Sequence, residues 1–311
     1  MKHRLIVLAT ALLAIAAAHA QVVNSIGQEN MKIPRGNKPE PTRQQKPLPT
    51  VTIDTDTRYY ALVDSAQAAI ERNDLDLAIA HLTAAIASDP SNTGNTLLLS
   101  NIATLQRHKG DLGAAARNYS LALDITPNAV TLLLNRAALY VQMDSIALAQ
   151  RDYERAAELD PVNTEARYSL GMLAAGRNDY KKAEDYFNEI RRINSNSGLY
   201  DEGMGMMYKQ QGQYDAAVRH LSRVIEAHPT AALLGNRADC YLTAKRLNDA
   251  EEDIRRALDL SPGDPFLFLL RAKLNKLRFN RDDMNRDIEL AVAAGLSRDY
   301  INAALNPTPS K

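Results

Sequence analysis

The stretch Asn135–Pro161, NRAALYVQMDSIALAQRDYERAAELDP, decides the fold. It sets two small residues, Ala137 and Ala149, 12 positions apart, follows them with the bulky Tyr153, and closes on Pro161. The same order recurs along the chain, with closing positions at Pro90, Pro127, Pro161, Ser195, Pro229 and Pro262, at intervals of 37, 34, 34, 34 and 33 residues. One small column, 12 residues before each closing position, reads Ala78, Ala115, Ala149, Ala183, Ala217 and Ala250. A second, 12 residues earlier again, reads Ala66, Ala103, Ala137, Gly171, Gly205 and Ala238. Between them and the close stands a bulky column of Leu82, Tyr119, Tyr153, Phe187, Leu221 and Ile254. A fixed period of this length marks stacked helix–turn–helix units. Small residues let two antiparallel helices approach, and the bulky residue fills the gap toward the next pair.

Punctuation agrees with the period. Asn73-Asp74, Lys109-Gly110-Asp111, Asn178-Asp179 and Gln211-Gly212 fall between paired helices, where these residue types allow a reversal and cap the helix that follows. Asp89-Pro90, Thr126-Pro127, Asp160-Pro161 and His228-Pro229 end the second helix, because the residue before proline is driven out of helical geometry. A composition of 45% hydrophobic residues and only 14 glycines, with no tryptophan, suits an all-α repeat protein. An array of repeats grows around one continuous core, so one elongated body is expected rather than two lobes.

The columns resemble the tetratricopeptide repeat family. NRAALY around Ala137 and NRADCY around Ala238 look like its first helix, and YKKAEDYF at Tyr180–Phe187 like its second. A seventh unit fits from Pro265, with Ala272, Met284, Ile288 and Ala291 on the same columns. The resemblance implies a right-handed superhelical solenoid of about seven repeats over residues 58–296, closed by a capping helix and frayed tail over 297–311. Ser297 is placed to cap that helix, Arg298 to Leu305.

Residues 1–20 read as a signal peptide. Lys2, His3 and Arg4 precede an apolar stretch from Leu5 to Ala18, and Ala18-His19-Ala20 offers the small residues cleavage needs. The apolar run is short against the roughly 20 residues of a spanning helix. Cleavage after Ala20 implies an exported protein, periplasmic or secreted, without a transmembrane segment in the mature chain. Residues 21–57, with Pro34, Pro39, Pro41, Pro47 and Pro49 among Lys32, Arg35, Lys38, Arg43 and Lys46, read as a disordered linker. Loss of Lys2 and Arg4 leaves 35 basic and 37 acidic side chains, a formal charge of −2. No clustered basic face is expected, which argues against a nucleic-acid partner.

Catalytic and metal chemistry find no support. His81, His108, His220 and His228 are scattered and are expected at the surface, with no ligand spacing for a metal. GMGMMY at Gly203–Tyr208 imitates a phosphate loop, but Gly205 belongs to the packing column. Glu251-Glu252-Asp253 beside Arg255-Arg256 reads as a solvated face. The lone Cys240 stands in a leucine column and reads as buried. No enzyme activity, cofactor or metal is expected.

What the resemblance implies about function concerns the first helix of each repeat, which lines the inner wall in this family. Carried onto this chain, it nominates Tyr60, Leu134, Tyr168, Met172, Leu199, Met206 and Phe266 for contact with a protein or peptide segment, with Glu165, Glu202, Asp239 and Lys273 among them. Asn101, Asn135 and Asn236 match an asparagine position of the subfamily that clamps chaperone carboxyl termini. Its cationic partners are missing, with Val63, Glu202, Asn135 and Leu270 in their places. A carboxylate clamp is therefore not expected. The implied role is a protein-binding scaffold or adaptor of a bacterial cell envelope; the alternative is a structural component that docks by its convex face or its ends.

Overall fold

The computed structural model describes residues 55–306. The segment read as a signal peptide, nearly all of the proline-rich segment and the tail after Asn306 lie outside them. Among the described residues there are fifteen helices and no strand. Contacts divide the chain after Pro161 into two compact units. That division falls on a closing proline, so each unit holds whole repeats; an array whose repeats touch only their neighbours has the fewest contacts to cut at such a boundary.

The first unit contains α1 (Thr55–Glu71), α2 (Leu75–Ser88), α3 (Asn95–His108), α4 (Leu112–Ile125), α5 (Val130–Gln142) and α6 (Ile146–Leu159). Helix α1 opens at Thr55, so residues 55–57 belong to the first repeat and not to the linker. Threonine and aspartate favour helix starts even where the preceding composition is that of a tether. The second unit contains α7 (Thr164–Gly176), α8 (Tyr180–Ile193), α9 (Gly198–Gln210), α10 (Tyr214–Ala227), α11 (Ala231–Thr243), α12 (Leu247–Leu260), α13 (Pro265–Leu277), α14 (Arg281–Ala293) and α15 (Arg298–Leu305). Odd and even helices pair as α1–α2 through α13–α14, and α15 lies against α13 and α14.

Each pair reverses through one residue with positive φ: Asn73, Gly110, Asp144, Asn178, Gly212, Lys245 or Phe279. Asp74, Asp111 and Asp179 then accept the N–H groups of Leu77, Ala114 and Lys182 at 3.1, 3.0 and 3.2 Å, which starts the second helix. At α15, Ser297 Oγ accepts the Tyr300 N–H at 3.2 Å. Lys245 and Phe279 gain nothing from the left-handed region and are strained there. Phe279 is also 95% exposed.

Both small columns are buried throughout. The tightest approach surrounds Phe187 of α8. A Cβ built on Gly171 of α7 or on Gly203 of α9 would lie 2.4 Å from Phe187 Cε1, so only glycine leaves room for the ring. Gly203 is therefore a packing residue like Gly205, and the likeness of its surroundings to a phosphate loop is accidental.

A second tie between paired helices is polar. Arg136 Nε and Nη2 donate to Asp152 Oδ2 and Oδ1 at 2.7 and 2.9 Å. Arg237 makes the same bidentate pair with Asp253 at 2.8 and 2.7 Å, and Arg271 meets Asp287 at 2.8 and 2.6 Å. In all three the arginine precedes a small-column residue and the aspartate, 16 positions on, precedes the bulky position. All three aspartates are buried. This corrects the reading of Glu251-Glu252-Asp253 as a solvated face: Glu251 and Glu252 are exposed, whereas Asp253 points inward to Arg237.

Candidate functional site

In the second unit the first helices α7, α9, α11 and α13 lie side by side. Residues 34 apart occupy equivalent places on α7 and α9, so Glu165, Tyr168 and Met172 are matched by Leu199, Glu202 and Met206. Tyr168 Oη donates to Glu202 Oε1 at 2.9 Å, which fixes that register. Further along the wall Lys209 Nζ meets Asp239 Oδ2 at 3.0 Å and Asn236 Oδ1 at 2.9 Å, and Lys273 Nζ reaches Asp239 Oδ1 at 3.2 Å. Side-chain bonds thus join α7 to α9, and α9 through α11 to α13.

The electrostatics differ along this wall. Burial pushes the Glu202 carboxyl upward against the opposing hydrogen bond from Tyr168, and burial likewise raises Glu165. Burial, then the neighbouring Glu202, carries the Tyr168 phenol well above its ordinary range. At Asp239 burial acts upward too, but the Lys209 and Lys273 ammonium groups outweigh it and hold the carboxyl well below the usual range. Two lysines share one carboxylate there, which leaves that end with a net positive charge.

The nominated contact residues separate into three groups. Tyr60, 50% exposed, and Phe266 offer surface. Leu199 and Met206 are half-buried on α9. Tyr168 and Met172 are only 5% and 6% exposed, and Leu134 is buried as well. Expected as contact surface, these three instead belong to packing. The Tyr168 ring lies 6.2 Å from that of Phe187, centroid to centroid, so it closes the Phe187 cluster and presents the wall with its hydroxyl end alone. A helical offset gives the direction of a side chain but not the depth of its neighbours.

Two further expectations meet the structure here. Cys240 is buried and unpaired, and burial pushes its thiol up to about 11. His220, expected at the surface, is half-buried on α10, with Nδ1 2.7 Å from Asp201 Oδ1 and its ring stacked on Tyr208 at 5.5 Å. Arg223 also donates to Asp201, at 3.2 Å. Among the described residues no group of three histidine, cysteine or carboxylate side chains is placed to hold a metal, and no helix is long and apolar enough to cross a membrane.

Recesses away from the wall are lined largely by charges that pair with one another. One of about 650 Å³ contains Arg255, Arg271, Arg286, Asp287 and Glu252, and one of about 570 Å³ in the first unit contains Arg136, Asp152, Arg155 and Glu158. Of their arginines, Arg255, Arg271, Arg286, Arg136 and Arg155 are engaged by Glu252, Asp287, Asp283, Asp152 and Glu158, while Arg151 in the second recess is exposed.

The family model for the tetratricopeptide repeat matches residues 63–130, 134–197 and 203–265. The chain belongs to the tetratricopeptide repeat family. A tetratricopeptide repeat protein from Parabacteroides merdae, known from a crystal structure, is 29% identical, with a TM-score of 0.68 over 80% of this chain and 98% of that one. Among curated proteins, the tetratricopeptide repeat and J domain-containing co-chaperone DNJ1 of Cryptococcus neoformans is 24% identical over 171 residues, 51% of this chain. The human mitochondrial import receptor subunit TOM70 is 23% identical over 233 residues, 71% of this chain. The match spans 33% of the co-chaperone and 38% of the receptor subunit. Tetratricopeptide repeat proteins serve as protein–protein interaction scaffolds.

Proposed function

We propose that this protein is a non-enzymatic scaffold of a bacterial cell envelope that holds a segment of another protein against the α7–α9 wall. The observation that carries the reading is the wall itself, where half-buried Leu199 and Met206 flank Glu202 and the Tyr168 hydroxyl. Half-buried apolar side chains beside a few oriented polar groups are the usual makings of a segment-binding groove. Two relatives are by name a co-chaperone and an import receptor subunit, which supports a polypeptide as the bound species. Export rests on the pattern of residues 2–20, and a bacterial setting is supported by the Parabacteroides merdae likeness.

Phe279 favours a second reading, docking by one end. A bulky residue in a left-handed turn, almost fully exposed, bears strain and apolar exposure together.

Affinity capture from an envelope extract separates the two. The chain recovered from the extract is expected to begin at Gln21, and the captured protein is expected to be lost from the double variant Leu199→Glu, Met206→Glu while helical circular dichroism stays unchanged. Capture that survives in that folded variant but disappears in Phe279→Ser overturns the wall in favour of the end. An intact Met1 overturns export.

A further inference from the structure

Two half-buried carboxylates on the helices of the second unit lack a counter-charge. Every other buried or half-buried carboxylate on those helices meets a cation: Glu189 with Arg167, Asp201 with Arg223, Asp239 with Lys209 and Lys273, Asp253 with Arg237, Asp283 with Arg286 and Asp287 with Arg271. Asp264, half-buried at the cap before α13, accepts the Phe266 N–H at 2.8 Å instead. Glu165 and Glu202 have none among the described residues, although both are half-buried. Glu202 has a single hydrogen bond, from Tyr168, and Glu165 has no side-chain partner at all among the described residues. Both stand on the α7–α9 wall, beside Leu199 and Met206.

A carboxylate taken partly out of water without a cation costs free energy, which is recovered when a cation arrives. The fold has solved this problem six times in the same unit with an arginine or a lysine. Beside Leu199 and Met206 it has not, and burial holds both carboxyl groups toward their neutral forms.

Resting on the reading of α7–α9 as the docking wall, we propose that Glu165 and Glu202 receive a lysine or arginine of the bound segment, while Leu199 and Met206 cover the apolar residues beside it. The partner is thus a protein segment with a cationic residue flanked by apolar ones. The cation lies over α7 and α9, because the opposite end of the wall already carries the excess positive charge of Lys209 and Lys273. Like charges repel there and opposite charges attract at the carboxylates, so the wall also sets the direction in which the segment lies.

Three fluorescein-labelled peptides test this with the full chain: leucine alternating with lysine, with glutamine and with glutamate. Fluorescence anisotropy is expected to show the lysine peptide binding roughly tenfold more tightly than the glutamine peptide. The preference is expected to disappear in Glu202→Gln and in Glu165→Gln, each of nearly unchanged size. Equal affinity for all three peptides, lost in the Met206→Glu variant, overturns the charge preference and leaves the docking wall standing. Tighter binding of the glutamate peptide overturns it in favour of the Lys209–Lys273 end. Binding of none of the three overturns the preference and the wall together.

Discussion

Gly203→Val is expected to destabilise the second unit by about 3 kcal/mol, the upper part of the usual range for overpacking. The first carbon added would lie 2.4 Å from Phe187 Cε1, and the ring has no free side to move toward because Gly171 closes it at the same distance. Urea denaturation measures the loss. Gly176→Ala is the control: nothing lies within 4 Å of the added methyl, so stability holds or rises by up to about 1 kcal/mol. Shrinking the ring as Gly203→Ala, Phe187→Leu should return part of what Gly203→Ala loses alone, a coupling that two independent sites do not show. Equal midpoints for Gly203→Val and Gly176→Ala would mean that Phe187 does not sit between the two helices.

Asp253→Ala is expected to cost about 3 kcal/mol, because it strands the guanidinium of Arg237 in the interior. Glu252→Ala, one position away on the same helix, removes an exposed carboxylate paired with Arg255 and stays within about 0.5 kcal/mol. Replacing both partners with apolar residues, as Arg237→Met with Asp253→Leu, should recover most of the stability, since no unpaired charge then remains. The difference between neighbouring acidic residues is the informative quantity, and thermal or urea unfolding reads it directly. Similar losses at Asp253 and Glu252 would contradict the inward Arg237–Asp253 pair.

These two sites mark the boundary of what the sequence made legible. The period, the small and bulky columns and the prolines were enough for the paired helices, because close packing recurs at every repeat and leaves a regular mark. Gly203 left no such mark: it sits two residues before the small column and packs against Phe187 of the preceding repeat, so only that one junction needs it. The Arg–Asp pairs did leave a signal, an arginine before the small column and an aspartate before the bulky one in three repeats. It is invisible to rules about neighbours three or four apart on one helix, because the partners stand on different helices. His220 shows the same limit, since its partner Asp201 lies on the preceding helix.

The wall was legible in direction and not in depth. Offsets from the family placed Tyr168 and Met172 beside Leu199, Glu202 and Met206, but how far each is covered depends on the ring of Phe187 and on the Tyr168–Glu202 bond. Lys209 escaped notice because it lies one helical turn beyond the nominated positions on α9, and its importance arises only when Asp239 and Lys273 are brought to it. Charge pairing across successive first helices is a property of the assembled wall.

Site-specific photo-crosslinking tests the central claim most directly. With a benzophenone side chain in place of Met206 on α9, irradiation in an envelope extract should attach a partner protein, and the same side chain in place of the exposed Lys181 on α8 should attach none. Attachment from position 181 or from position 279, with none from position 206, would contradict the α7–α9 wall as the docking surface.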